Sequence, residues 1–157
     1  MAKKQAQKIF ILTREYDGLA GAGGVKDFSR QLAEALVRKG RQVSVLMPLY
    51  GFIDPRKSSF KKNGNTFAVD MPYVGRFRRE AVTIWSTEIH GVKVYLADAA
   101  RYREKRDVYV YTGEDGGEDP HNQKGMAHYD QFSLYAWALT YLPYEEDLLF
   151  LVACSCV

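Results

Sequence analysis

The stretch that most constrains this chain is Gly18-Leu-Ala-Gly-Ala-Gly-Gly-Val-Lys-Asp27, lying between an apolar strand pattern and an amphipathic helix pattern. Ile9-Phe-Ile-Leu-Thr13 is β-rich and apolar on both faces, as a buried parallel strand requires. Val25, Phe28, Leu32, Ala35, Leu36 and Lys39 follow helical spacing, with Asp27 in the first turn and Gly40 as the stop. Gln42-Val-Ser-Val-Leu-Met47 is a second strand, ended by Pro48. A β-α-β crossover therefore occupies the first fifty residues, and such units are almost always right-handed. Glycines in the turn allow φ > 0 and close backbone approach to a ligand. The first helical turn adds unpaired N–H donors and a positive dipole end, a construction suited to phosphate.

The pattern changes after residue 60. Asn63-Gly64 carries a turn signal, and Phe67–Met71, Glu80–Glu88 and Val92–Ala97 read as strands, the last two joined tightly through His90-Gly91. This is an antiparallel hairpin or meander inserted in an α/β pattern. Asp107–Tyr111 reads as a short strand or extended turn, and Thr112–Gly125 as a fourteen-residue polar loop of functional length. Met126, Tyr129, Phe132, Ser133, Ala136, Trp137 and Leu139 share a helical face that runs to about Leu142 and breaks at Pro143. Leu148–Ala153 is a final apolar strand. The expected fold is α/β: a Rossmann-like parallel sheet flanked by helices, with an inserted antiparallel hairpin. Residues 1–7 read as a basic disordered N-terminus and 8–157 as one domain, long enough to bury roughly two-thirds of its unfolded surface.

Composition narrows the function. A net charge of +3 is mild, and the cations fall in short clusters (Lys3-Lys4, Lys61-Lys62, Arg76 to Arg79, Arg101 to Arg106) that read as solvated loops and strand edges. That argues against nucleic acid as the main partner. There is no signal-peptide pattern and no 18-residue apolar run, so the sequence reads as cytoplasmic with no membrane partner. Cys154 and Cys156 supply two ligands where a structural zinc site wants four, so no metal is expected.

Two nucleotide motifs fail on the glycine loop. G-x-G-x-x-G from Gly21 would need glycine where Lys26 stands, and an acidic residue where the second strand ends in Pro48-Leu-Tyr50. No Gly-Lys-Ser/Thr occurs, which excludes a P-loop. Alone, a Gly-Gly at a strand–helix junction fits tight helix packing as well as ligand binding.

The whole segment is more specific. Phe10-Ile-Leu-Thr-Arg-Glu15, Gly23-Gly-Val-Lys-Asp-Phe28, Leu32-Ala-Glu-Ala-Leu36, Lys39-Gly40 and Val43-Ser-Val-Leu-Met-Pro-Leu-Tyr50 together resemble the N-terminal catalytic domain of bacterial glycogen synthases and plant starch synthases. Gly91-Val-Lys-Val-Tyr-Leu-Ala-Asp98 and Phe132-Ser133 with Ala136 are similar to later motifs of that family, so the resemblance spans about residues 8 to 150.

The resemblance implies the N-terminal half of a GT-B glycosyltransferase, with its active site in the cleft between two Rossmann-like domains. It implies glucose transfer from ADP-glucose (or UDP-glucose) to an α-1,4-glucan acceptor with retention of configuration. No cofactor is implied. Gly23 and Gly24 would give N–H donors to the leaving diphosphate, and Glu15 would hydrogen-bond sugar hydroxyls or orient the loop. Asp27 would pin the loop backbone or touch ligand, and Tyr102 is a candidate sugar contact among Tyr16, Tyr50, Tyr73 and Tyr109.

This chain departs from the family pattern at three places. The loop lysine falls on Gly21, leaving Lys26 as the nearby cation; an arginine falls on His128; and an H-x-H-D-W segment is expected where the chain reads Ala153-Cys-Ser-Cys-Val157. The resemblance places the donor-gripping residues in a C-terminal domain that is missing here. The expectation is thus an N-terminal half with no catalytic residue of its own, inactive in isolation. The alternatives are a non-catalytic glucan- or nucleotide-binding Rossmann-like module and, less well supported, an unrelated nucleotide-dependent enzyme.

Overall fold

The computed structural model describes residues 8–73, 76–108 and 148–153. Its order is β1 (Lys8–Thr13), α1 (Gly24–Arg38), β2 (Gln42–Pro48), β3 (Lys61–Tyr73), β4 (Arg76–Ile89), β5 (Val92–Asp98), α2 (Ala100–Glu104) and β6 (Leu148–Ala153). The six strands form one sheet in the order β3-β4-β5-β2-β1-β6. The block β5-β2-β1-β6 is parallel, and β3 and β4 extend it antiparallel beyond β5. The mixed α/β sheet is the expected architecture. The expected helix over 126–142, the loop 112–125, His128, Tyr109 and both cysteines lie outside the described residues.

Alternate side chains of the strands build two apolar layers. Ile9, Ile11, Val43, Val45, Val94 and Leu96 pack on the α1 side; Phe10, Leu12, Leu46, Val82, Ile84 and Tyr95 pack on the other. Burial on both faces explains why β1 is a continuous apolar run instead of an alternating one. Truncating such a core side chain to alanine costs about 2–5 kcal/mol.

The helix spans almost the expected residues, and Leu32 and Leu36 of the expected face pack on the core, but the buried stripe is rotated away from Phe28. Phe28 is 59% exposed, whereas Ser29 and Ala33 are buried. Small side chains let α1 approach the sheet, and Ser29 Oγ meets Thr13 Oγ1 at 3.1 Å, joining the helix to the end of β1. Hydrophobic spacing favours Phe28 because it cannot register a polar pair satisfied across the interface.

The two turn signals have different outcomes. His90 (φ 50°) and Gly91 (φ 79°) make the tight β4–β5 turn as expected. Asn63-Gly64 makes no turn: it lies inside β3, where the pairing with β4 shifts register between Asn63 and Phe67 and Gly64 takes φ 73°. Three residues of β3 (64–66) face one of β4 (83), an irregularity accommodated by glycine that does not end the strand, and Thr66 and Thr83 hydroxyls meet there at 2.6 Å. Pairing of β3 with β4 carries both strands well past the apolar runs that mark them. Asp107-Val108 is not part of a strand, and α2 has no counterpart among the expected elements.

Candidate functional site

Parallel packing sends the carboxyl ends of β1, β2 and β5 to one edge of the sheet. The connections that leave there are residues 14–23, 49–60 and 99–108. The chain moves from β1 to β2 on one side, whereas β6 adds to the other side of β1, so the loop after β1 stands at the topological switch point. Crevices at such points are where open α/β sheets take ligands.

The first loop is built around Glu15, which is fully buried. Its Oε2 accepts hydrogen bonds from the backbone N–H of Ala22 (2.8 Å) and Gly23 (3.1 Å), while its Oε1 has no partner among the described residues. Thr13 Oγ1 donates to the Glu15 carbonyl at 2.8 Å. Between them, Tyr16 and Ala20 close a small bridge over Gly18 at φ 87°. Gly18 is the residue of this loop whose conformation calls for glycine; Gly23 is extended at φ −158°.

Gly23 and Gly24 face solvent, and a Cβ on either would meet nothing within 4 Å. Tight helix packing therefore does not account for the pair. No side chain caps α1 at Gly23. The first N–H groups of a helix have no intrahelical partner and sit at the positive end of its dipole, here beside exposed glycines. Gly23's own N–H is committed to Glu15.

Lys26 folds back over Gly21, where a Cβ would collide with the lysine stem. Its Nζ lies 3.1 Å from Asp27 Oδ1 and 3.6 Å from Asp17 Oδ1. The hydrogen bond to Asp27 raises the Lys26 pKa above the ordinary lysine value, so the ammonium stays charged and paired. Arg30 continues the network to Asp17 (3.0 Å) and Glu34 (2.8 Å), and His90 Nδ1 reaches Glu34 at 2.9 Å. Arg30's hydrogen bond, helped by His90, holds the Glu34 carboxyl below its usual range. The Tyr16 phenol has no partner among the described residues, and burial pushes its pKa up to about 12.

Tyr102 is buried with its ring edge-on to Tyr50 at 6.2 Å, inside the core instead of at the surface. The Arg101–Arg106 cluster is solvated only in part: Arg103 and Arg106 are exposed, yet the cluster also reaches inward. Lys105 is fully buried and donates to the Val108 carbonyl, and Arg103 donates to the carbonyls of Tyr50 and Ile53. Charge patterning cannot reveal this, since Arg103's acceptors are main-chain atoms about fifty residues away. Among the described residues no group of three or more His, Cys, Asp or Glu is placed to hold a metal ion. No described helix is long and apolar enough to cross a membrane.

A Rossmann-type sheet with an uncapped helix end beside a glycine loop at its switch point defines an α/β domain of the open, doubly wound class. The comparisons are more specific: the starch synthase catalytic domain model matches residues 8–149, so the chain belongs to that family. It is similar to the glycogen synthase of Aeromonas salmonicida (27% identical over 131 residues, 82% of this chain and 25% of that protein). It is also similar to the glycogen synthase of Clostridioides difficile (33% over 112 residues, 69% and 22%). Among solved structures, the catalytic domain of Arabidopsis thaliana starch synthase IV bound to ADP and acarbose superposes with a TM-score of 0.58 at 18% identity. That match covers 86% of this chain and 26% of the plant chain, and it shows the shared GT-B-type fold. The chain thus spans about a quarter of the length of the relatives it matches.

Proposed function

We propose that this chain forms the N-terminal, donor-phosphate side of a glucosyltransferase site that moves glucose from ADP-glucose or UDP-glucose to an α-1,4-glucan. The observation that carries this reading is the open space over Gly23 and Gly24 at the uncapped start of α1. A diphosphate leaving group gains charge as its bond to the sugar breaks, and fixed N–H donors aimed at that charge stabilise it most. In this reading Gly24 and the residues after it donate, Gly23 keeps the approach clear, and Glu15 holds the loop in place by taking the Ala22 and Gly23 N–H groups. Asp27 holds Lys26 against the helix start, where the ammonium adds positive charge without leaving its ion pair. The plant starch synthase IV domain, bound to ADP and acarbose together, supports a site of this kind in a protein of the same fold.

Transfer also needs the acceptor hydroxyl and donor sugar oriented together. Two described cations beside the loop, Lys26 and Arg30, are engaged with carboxylates. In the proposal a second domain completes the site, the isolated chain transfers no glucose, and the whole protein works in the cytoplasm. The test is a radiolabelled glucose-transfer assay to glycogen from each sugar nucleotide, paired with an ADP titration followed by amide NMR shifts. ADP shifts at Gly24–Lys26 without transfer are the expected result. Transfer by this chain alone would sink the split-site reading, and absence of ADP shifts there would remove the phosphate role.

A further inference from the structure

The loop 49–60 has no regular secondary structure, yet it is fastened on both sides of one exposed aromatic ring. The Gly51 N–H donates to the Lys105 carbonyl (3.0 Å) and the Ile53 N–H to the Tyr50 carbonyl (3.0 Å). Arg103 donates to the carbonyls of Tyr50 (3.4 Å) and Ile53 (3.1 Å), and Arg106 to that of Gly51 (3.4 Å). Gly51 is pressed against this clamp so closely that a Cβ would collide with the Arg103 carbonyl. Ser59 is held at φ 59°, a conformation that non-glycine residues adopt at a cost of order 1–2 kcal/mol.

Phe52, between the clamped positions, remains 43% exposed. Its ring stacks on buried Tyr50 at 5.4 Å between centroids and 13° between planes. It forms one wall of a cavity of about 260 Å³ that joins this loop to the loop after β1; Gly18, Leu19, Asp54, Lys57 and Ser58 also line it. The Asp54 carboxylate is oriented by the Arg56 N–H at 3.0 Å.

An aromatic face combined with a fixed carboxylate and an ammonium matches a neutral polyhydroxylated ring. Its C–H face stacks on the aromatic π-cloud, while its hydroxyls donate to the carboxylate and accept from the ammonium. Asp54 disfavours a phosphate by charge repulsion. We propose that this cavity is a subsite for one glucosyl unit of an α-glucan, with Phe52 as stacking platform and Asp54 and Lys57 as hydroxyl partners. That the sugar is glucosyl rests on the function proposed above; the preference for a neutral sugar rests on the cavity.

The test is amide-shift titration of the ¹⁵N-labelled chain with maltotriose and, separately, with ADP, on wild type, Phe52→Ala and Phe52→Trp. Maltotriose is expected to shift Gly18, Leu19 and residues 52–58 with a millimolar dissociation constant. Phe52→Ala should weaken it about tenfold, Phe52→Trp should retain it, and ADP shifts at Gly24–Lys26 should be the same in all three proteins. Maltotriose shifts elsewhere, or equal affinity in Phe52→Ala, would overturn the subsite. So would ADP shifts at residues 52–58 that Phe52→Ala abolishes, since they would make the ring a nucleobase platform. Maltotriose binding at the cavity without ADP shifts at the helix start would support the subsite while removing the nucleotide reading.

Discussion

The loops after β1 and β2 leave the same edge of the sheet and are fastened by opposite chemistry. The first is organised by an acceptor: buried Glu15 takes the Ala22 and Gly23 N–H groups. The second is organised by donors: Arg103 and Arg106 take the carbonyls of Tyr50, Gly51 and Ile53. A carboxylate ties down the Ala22 and Gly23 amides, and α1 then starts at Gly24 with no side-chain cap. Guanidinium groups tie down carbonyls and leave a side chain, Phe52, facing outward. One edge thereby places a helix start beside an aromatic surface, and the proposed function assigns the phosphate to the first and the sugar to the second.

The largest expected effect breaks the acceptor side. Glu15→Ala removes two charge-assisted hydrogen bonds and should cost about 3 kcal/mol in urea unfolding. It should also erase ADP shifts at the helix start while leaving protection of the Gly51 and Ile53 amides intact when measured just below the transition.

Alkaline pH sharpens the same contrast. The Tyr16 pKa is raised from its ordinary value of 10.0 to about 12 by burial, so folding favours the neutral phenol. That stability is fully present below pH 10 and is lost as pH rises from 10 through 12. It amounts to roughly 2–3 kcal/mol. Unfolding measured on either side of pH 10 should show the loss, and Tyr16→Phe should flatten the profile.

On the donor side, Arg103→Ala should cost about 1 kcal/mol, because its side chain is partly exposed and water replaces part of each bond. Amide exchange at Gly51 and Ile53 should accelerate, with Ala22 and Gly23 unaffected. Coupled exchange in both loops would show that they move as one body.

The smallest effect on stability is the most diagnostic for function. A Cβ on Gly24 meets nothing and lies within the helix, so Gly24→Ala should leave stability unchanged or raise it by about 0.5 kcal/mol. ADP binding should weaken nonetheless, since the methyl group enters the space in front of the first amides. Unchanged ADP affinity would mean that the ligand approaches from another direction.

Much of the frame is legible from residues alone. Strands β1, β2, β5 and β6 are short apolar runs between clear breaks, and α1 lies between a glycine loop and Gly40. The β3–β4 hairpin is legible in kind but not in extent, because its outer residues are polar and are strands only through pairing. Helix α2 is hidden: five residues are too few for periodicity, and Ala100–Glu104 reads as part of a basic cluster. At the site, Glu15 and the Gly23-Gly24 pair stand out in the sequence, whereas Phe52 and the Arg103 clamp do not.

By itself the sequence determined the β-α-β order, the glycine loop between its first strand and helix, and the membership of a glycosyltransferase family. Those features are written in local preference and in motif spacing along the chain. Tertiary structure decided which face of α1 is buried, that Ser29 and not Phe28 meets β1, and that Tyr102 and Lys105 lie inside. It also decided that Lys26 is paired and that a basic cluster fastens a loop about fifty residues away. The physical reason is common to all of these. Periodicity records how much apolar surface an element can bury, but a buried polar group settles its partner only when distant segments meet.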